Sequence, residues 1–139
     1  MEITVRNDLG RTLLLSGDHR AARLHHERAL TLCREAGEHS FEVETVNALG
    51  AAMLAAGDPG EARVHFSNAL TTAERTGDRH QQANAHNGLA DTNQAIGDPE
   101  RARHHWQHAK DIYLELGLPE ADQITHKIRT SHSIMDAPR

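Results

Sequence analysis

Residues 49–70 read LGAAMLAAGDPGEARVHFSNAL, two apolar stretches at helical spacing on either side of the break AAGDPGEA. At the break, Gly57 can take the left-handed backbone that ends a helix, Asp58 can accept a hydrogen bond from the free amides of the next one, and Pro59 suits a first helical turn. Glu61, three residues after Asp58, matches the reciprocal half of a capping box. The stretch therefore predicts helix, tight turn, helix.

The same signal returns at a spacing of forty residues in both directions. Asn7, Asn47 and Asn87 share a column, as do Leu9, Leu49 and Leu89. So do Gly17, Gly57 and Gly97; Asp18, Asp58 and Asp98; Ala22, Ala62 and Ala102; Arg23, Arg63 and Arg103; His25, His65 and His105; Ala29, Ala69 and Ala109; and Gly37, Gly77 and Gly117. A period of this size marks stacked helical units, each of which buries its apolar face only against its neighbours. The pattern predicts repeats over 1–38, 39–78 and 79–118, with helices at 2–16, 19–36, 40–56, 59–76, 80–96 and 99–116. Pro119 opens a seventh, capping helix over 119–133 in which Ala121, Ile124 and Ile128 recur at helical spacing, and 134–139 reads as a frayed tail. All of 1–139 is expected to be one all-α domain.

Composition agrees. Of the 139 residues, 37% are hydrophobic and only 3% aromatic, so the core must be built from Leu, Val, Ile and Ala, which suits closely spaced helices better than strands. Gly10, Gly50 and Ala90 on the first helices, with Ala22, Ala62 and Ala102 on the second, are expected to let the two backbones of a copy approach. Leu9, Leu49, Leu89, Leu30 and Leu70 then fill the space beside them. The formal net charge of −5 excludes the phosphate-driven affinity of a sequence-independent nucleic-acid binder. Protonating all 12 histidines would swing that charge to +7, so surface behaviour near pH 6 is expected to depend on pH. Cys33 stands alone, which rules out an intrachain disulfide and fits a reducing compartment. With no apolar signal core in MEITVRNDLG and no long apolar run, the chain is expected to be soluble and cytoplasmic, with no membrane contact.

The order L-G-x6-G-D-x3-A-x3-H/F-x2-A-L resembles the tetratricopeptide repeat in its forty-residue form, over residues 2–117. Many such repeats carry tryptophan early in the first helix, where Arg6, Val46 and His86 stand here. The resemblance implies a right-handed superhelical α-solenoid of three helix-turn-helix hairpins plus a C-terminal capping helix. RARHHWQHAKDIYLELGLPEADQI, residues 101–124, is also similar to the C-terminal repeat arrays of actinobacterial antibiotic-regulatory and NTPase-coupled transcriptional regulators. That likeness implies a non-catalytic sensory or scaffolding part of a bacterial regulator. The sequence holds no GxxxxGK[ST] loop and no separable helix-turn-helix, so direct nucleic-acid binding by this chain is not expected.

In arrays of this type the first helices line the concave surface, and the resemblance implies that a protein or peptide segment binds there. Offsets of three, seven and ten residues trace one helix face. They give Thr4, Asn7, Arg11 and Leu14 in the first copy, Glu44, Asn47, Ala51 and Leu54 in the second, and Asn84, Asn87, Asp91 and Gln94 in the third. The expected partner-binding set is therefore Asn7, Arg11, Glu44, Asn47, Leu54, Asn84, Asn87, Asp91 and Gln94: an apolar patch beside a hydrogen-bonding one, with Arg11 and Asp91 at opposite ends. A carboxamide both donates and accepts, so the asparagine column could hold a peptide backbone; the alternative is that it ties neighbouring repeats together. Arg23, Arg63 and Arg103 form a second column, expected to face solvent with weak ion pairs.

RHHWQH, residues 103–108, raises a metal-responsive or catalytic alternative, since His104 and His108 stand one helical turn apart. The repeat explains most of it: His105 shares a column with His25 and His65, and Trp106 takes the packing position of His26 and Phe66. Two histidines fall short of the three or four protein ligands of a zinc site, so no metal and no cofactor are expected. Cys33 falls in a column with Ala73 and Tyr113, a buried rather than reactive position, and no serine-nucleophile motif occurs, so the chain does not read as an enzyme. Finally, Ile3, Val5, Leu9 and Leu13 begin almost at Met1. Their helix is expected to expose an apolar surface, to pair with another chain as a homo-oligomer, or to continue a longer array.

Overall fold

Every break in the forty-residue pattern is a helix end in the computed structural model, which describes residues 2–136, with side chains described through Ser131. The helices are α1 Glu2–Leu15, α2 His19–Ala36, α3 His39–Ala55, α4 Pro59–Thr76, α5 Arg79–Ala95, α6 Pro99–Glu115 and α7 Glu120–Asp136. The caps follow the sequence chemistry. Asp18, Asp58, Asp78 and Asp98 each accept from the backbone amide three residues on, while Pro59 and Pro99 occupy the first turns of α4 and α6. Gly57, at φ +85°, makes the left-handed turn that no side-chain-bearing residue favours. Of the helices from α2 to α6, only α3 starts without a side-chain cap, Glu38 standing where the other four have aspartate. The seventh helix runs to Asp136 rather than to 133. No Gly or Pro interrupts 120–136, so the backbone ladder has no reason to stop earlier.

Consecutive helices pair as antiparallel hairpins, α1 with α2, α3 with α4 and α5 with α6. Each second helix then packs on the next first helix, and α7 closes against α6. The first helices also touch in succession, α1 with α3 and α3 with α5, and this makes a helical-repeat solenoid. Its core is a row of linked clusters. Leu30, Leu49, Met53, Ala62, Phe66 and Leu89 form one, and Val43, Ala69, Ala73 and Ala85 another. Trp106, Ile112 and Tyr113 sit under Ala121, Ile124 and Ile128 of α7, as the capping role requires.

The small residues of the first helices make room for rings rather than for backbone. A Cβ at Gly10 would lie 2.6 Å from the His26 ring and one at Gly50 2.8 Å from the Phe66 ring. The tightest contact crosses hairpins: a Cβ at Gly88 would lie 2.2 Å from Phe66. Phe66, on α4, is thus wedged between α3 and α5. Leu9 does not fill the space beside its hairpin as its column does, but falls on the exposed apolar surface also expected of this helix. It is 41% exposed while Leu49 and Leu89 are buried, because among the described residues no helix lies on the outer side of α1.

Gly88→Leu is expected to lower stability in urea by about 1–3 kcal/mol through overpacking, even though leucine is the better helix former. The loss should shrink in a Phe66→Ala background, where the opposing ring is gone.

Candidate functional site

The first helices enclose a hollow of about 600 Å³, within the size range of ligand pockets. It is lined from α1 by Asn7 and Arg11, from α3 by Glu44, Asn47, Ala51 and Leu54, and from α5 by Asn84, Asn87 and Asp91. Helical spacing therefore brings eight of the nine expected residues, with Ala51, to one concavity. The ninth, Gln94, lies in an adjoining recess with Asp91, Trp106 and Lys127. Sequence reasoning missed Ala48, Ala55, Phe66, His80, Gln81, Gly88 and Glu120. Ala48 and Ala55 sit one position past the traced stripe and were within reach of the same spacing rule, whereas Glu120 belongs to α7, which lies outside the period.

The hollow combines an apolar strip, Ala48, Ala51, Leu54 and Ala55 beside Phe66, with a polar rim. Arg11 pairs with Asp8 and lies 3.8 Å from Glu44 across the α1–α3 gap. Gln81 Oε1 accepts from Asn84 Nδ2, whose own Oδ1 accepts from the Tyr113 hydroxyl. Burial first, with Glu120 and Asp91 nearby, pushes that hydroxyl's pKa up, so it stays a donor.

The asparagine column bonds neighbouring helices, the second of the two roles weighed for it, while its residues still line the hollow. Asn7 Nδ2 donates to Thr45 Oγ1 at 2.8 Å, and its Oδ1 lies 3.0 Å from His26 Nδ1. Asn47 Nδ2 donates to the backbone oxygen of Gln81 at 3.2 Å and to its Oε1 at 3.0 Å. Asn87 Oδ1 accepts from Lys127 Nζ at 3.0 Å. Each asparagine thus bonds the next first helix in line, α1 to α3, α3 to α5 and α5 to α7. The energetics are those of satisfied buried polar groups: Asn7 and Asn47 are both buried, and each would leave partners unpaired if removed. One acceptor is left over, since Asn47 Oδ1 has no partner among the described residues.

Lys127 also reaches both carboxylate oxygens of Asp91 at 3.0 Å, and Asp91 accepts from Trp106 Nε1 at 3.1 Å. The third-copy end of the hollow is therefore held by α7. In the arginine column, Arg23 pairs with Glu27 at 2.7 Å on an exposed face and Arg63 bonds Asn93 at 3.5 Å.

Four histidines gather where α5 meets α6. His86 Nδ1 is 3.0 Å from His105 Nδ1, the His86 ring stacks on His108 at 4.9 Å, and His108 Nε2 is 3.3 Å from His104 Nε2. Among the described residues no group of three or more His, Cys, Asp or Glu side chains is placed to hold a metal ion. Burial first, then the neighbouring His105, His108 and His104 and Arg79, lowers the His86 pKa to about 4, so the ring is neutral at pH 7. Cys33 is fully buried, and burial raises its thiol pKa, the opposite of what a nucleophile needs.

Asn7→Ala is expected to cost about 1–3 kcal/mol of stability, because it leaves the buried His26 Nδ1 without its partner and removes the donor to Thr45 Oγ1, whose hydroxyl keeps its bond to the Phe41 carbonyl; urea unfolding measures it. Burial first, with Arg11 and His25 adding repulsion, lowers the His26 pKa from 6.5 to about 4. The unfolded chain therefore binds more protons between those values, and stability, complete above about pH 6.5, falls as the pH drops toward 4. His26→Phe, which places the Phe66 ring type at the equivalent position, should lessen that slope in urea midpoints measured across the range, leaving the part contributed by His86.

Residues 42–115 match the tetratricopeptide repeat family, as do residues 3–36. Among solved structures, the tetratricopeptide-repeat domain of Arabidopsis FLU is similar at 23% identity and a TM-score of 0.71, covering 78% of this chain and 91% of that one. The apo form of RapI is similar at 12% identity and a TM-score of 0.83, covering 96% of this chain, which spans 49% of the RapI chain. No curated protein matches the chain. No described helix is long and apolar enough to cross a membrane. With the forty-residue period, the capped hairpins and more than half of its length matched, the chain belongs to the tetratricopeptide repeat family.

Proposed function

We propose that this chain is a non-catalytic interaction module whose hollow receives an extended segment of a partner protein. The fold itself supports a protein–protein interaction role. The observation that carries the finer reading is the composition of the hollow: an apolar strip, Ala48, Ala51, Leu54 and Ala55, runs beside the polar Arg11, Glu44 and Gln81. A peptide with alternating side chains can lay one face on such a strip and its backbone amides along the rim. Asn47 Oδ1, a buried acceptor in the same wall without a partner among the described residues, supports a ligand that brings N–H donors. In this reading Asn7, Asn47 and Asn87 hold the wall in shape, and recognition falls to Arg11, Glu44, Leu54, Asn84 and their neighbours.

The context in which the module works is the sensory or scaffolding part of a bacterial transcriptional regulator in the cytoplasm. The similarity of residues 101–124 to the repeat arrays of such regulators supports this. The net charge of −5 supports a protein partner over nucleic acid.

The test is selection of displayed peptides on the wild-type chain, followed by titration against Ala55→Arg and Leu54→Asp. Ala55 is exposed at the edge of the hollow, so arginine there obstructs the site without entering the core. Selected peptides should lose affinity by roughly tenfold or more in either variant, about 1.4 kcal/mol, with the circular dichroism of the protein unchanged. Failure to select any peptide, or equal binding to the variants, overturns the proposal.

A further inference from the structure

The forty-residue period supplies an internal control for every exposed surface, and one surface fails it. Columns five, nine and thirteen of each first helix lie on the face that meets the preceding hairpin. On α3 these are Thr45, Leu49 and Met53, and on α5 Ala85, Leu89 and Asn93; none of the six is more than 7% exposed. On α1 the same columns hold Val5, 62% exposed, Leu9, 41% exposed, and the half-buried Leu13. The face is dressed for burial in its polar positions too. The Thr12 hydroxyl donates to the Asp8 carbonyl, just as Thr92, buried on α5, donates to Gly88, and the Ser16 hydroxyl donates to Leu13. These hydroxyls need nothing from water.

We propose that this face of α1 docks on a second copy of the same chain, α1 against α1 about a two-fold axis near Leu9. At the other end of the array, α7 lies over Trp106 and Tyr113 with Ala121 and Ile124. A copy cannot stack head to tail without displacing it, so among copies of this chain the open face has only its own equivalent to meet, and a two-fold contact closes where a head-to-tail one would propagate. Charge permits the pairing. The face carries one acidic and one basic group, Glu2 and Arg6, already paired within the helix at 3.6 Å. Antiparallel packing about Leu9 sets Val5 against Leu13 of the second copy, Arg6 against its Thr12 and Glu2 against its Ser16, with no like charges opposed. The hollow opens elsewhere on α1, through Asn7 and Arg11, so docking leaves it accessible.

Sedimentation equilibrium of the full chain, with Leu9→Asp and Val5→Lys beside it, tests the proposal. Wild type should show a monomer–dimer equilibrium, and each variant should weaken it by roughly tenfold or more with unchanged helicity, since both side chains lie among the exposed hydrophobics of the monomer. Under mild oxidation Leu9→Cys should form disulfide-linked dimers. Wild type should not, because Cys33 is buried, and neither should Leu24→Cys on the outer face of α2. A wild-type monomer at every concentration overturns the proposal. So does a dimer that survives both α1 substitutions, or one that cross-links through position 24 but not through position 9.

Discussion

The ring of Phe66, wedged between Gly50 of its own hairpin and Gly88 of the next, is the contact on which the stack depends. A chain with 3% aromatic residues cannot fill a thick core, and it uses its few rings where they join two units at once. The column repeats with different chemistry. His26 lies against Gly10, and Trp106 packs in the same cluster as Ala90. Each large residue on a second helix is matched by a very small one on a first helix, and close packing leaves no freedom to alter one without the other. The stack is held laterally by such wedges, and no hairpin has a core of its own.

Polar bonding follows the same neighbour-to-neighbour logic. Asn7, Asn47 and Asn87 each bond the next first helix, so the wall of the hollow they line is cross-linked at regular intervals by its own side chains. In a quasi-one-dimensional array, stability is a sum of units and junctions. Here the junction terms are visible as one carboxamide bond per interface, with the Phe66 wedge added between the second and third hairpins. The buried His26 ties the first hairpin to acidity through its low pKa, and His86, lowered to about 4 where α5 meets α6, does the same for the third, while Phe66 brings no titrating ring to the second.

The fold was almost fully legible in the sequence, because the signals that set it are local. Asp58, Pro59 and Gly57 act within four residues of one another, and their recurrence at forty-residue spacing placed six helices to within a residue or so of their ends. The candidate site was legible as a surface but not as a set of bonds. A spacing of three, seven and ten residues found the face of each first helix, since that face is a property of one helix. Whether Asn47 reaches a ligand or Gln81 is decided by a residue 34 positions away, and helical spacing carries no such information. Lys127, which holds Asn87 and Asp91, lies on α7, outside the period that organised the rest. Leu9 shows where the column alone misleads and the position in the chain informs: a repeated column predicts a repeated environment only where the neighbour is repeated as well.

That last point also explains how the two surfaces of α1 relate. Asn7 and Arg11 look toward the hollow, Val5 and Leu9 away from it, and the helix between them is packed on only one side by described residues. A helix held on one side frays and tilts more readily than one held on two, because its local opening breaks fewer buried contacts. The Asn7–Thr45 bond and the Arg11–Glu44 approach are therefore the least supported parts of the wall, whereas the α3–α5 face is supported by Phe66 from behind. Anything that covers the outer face of α1 stiffens the first-copy edge of the hollow without touching it. By linkage, whatever settles in the hollow against Arg11 favours the covered state of that face to the same degree.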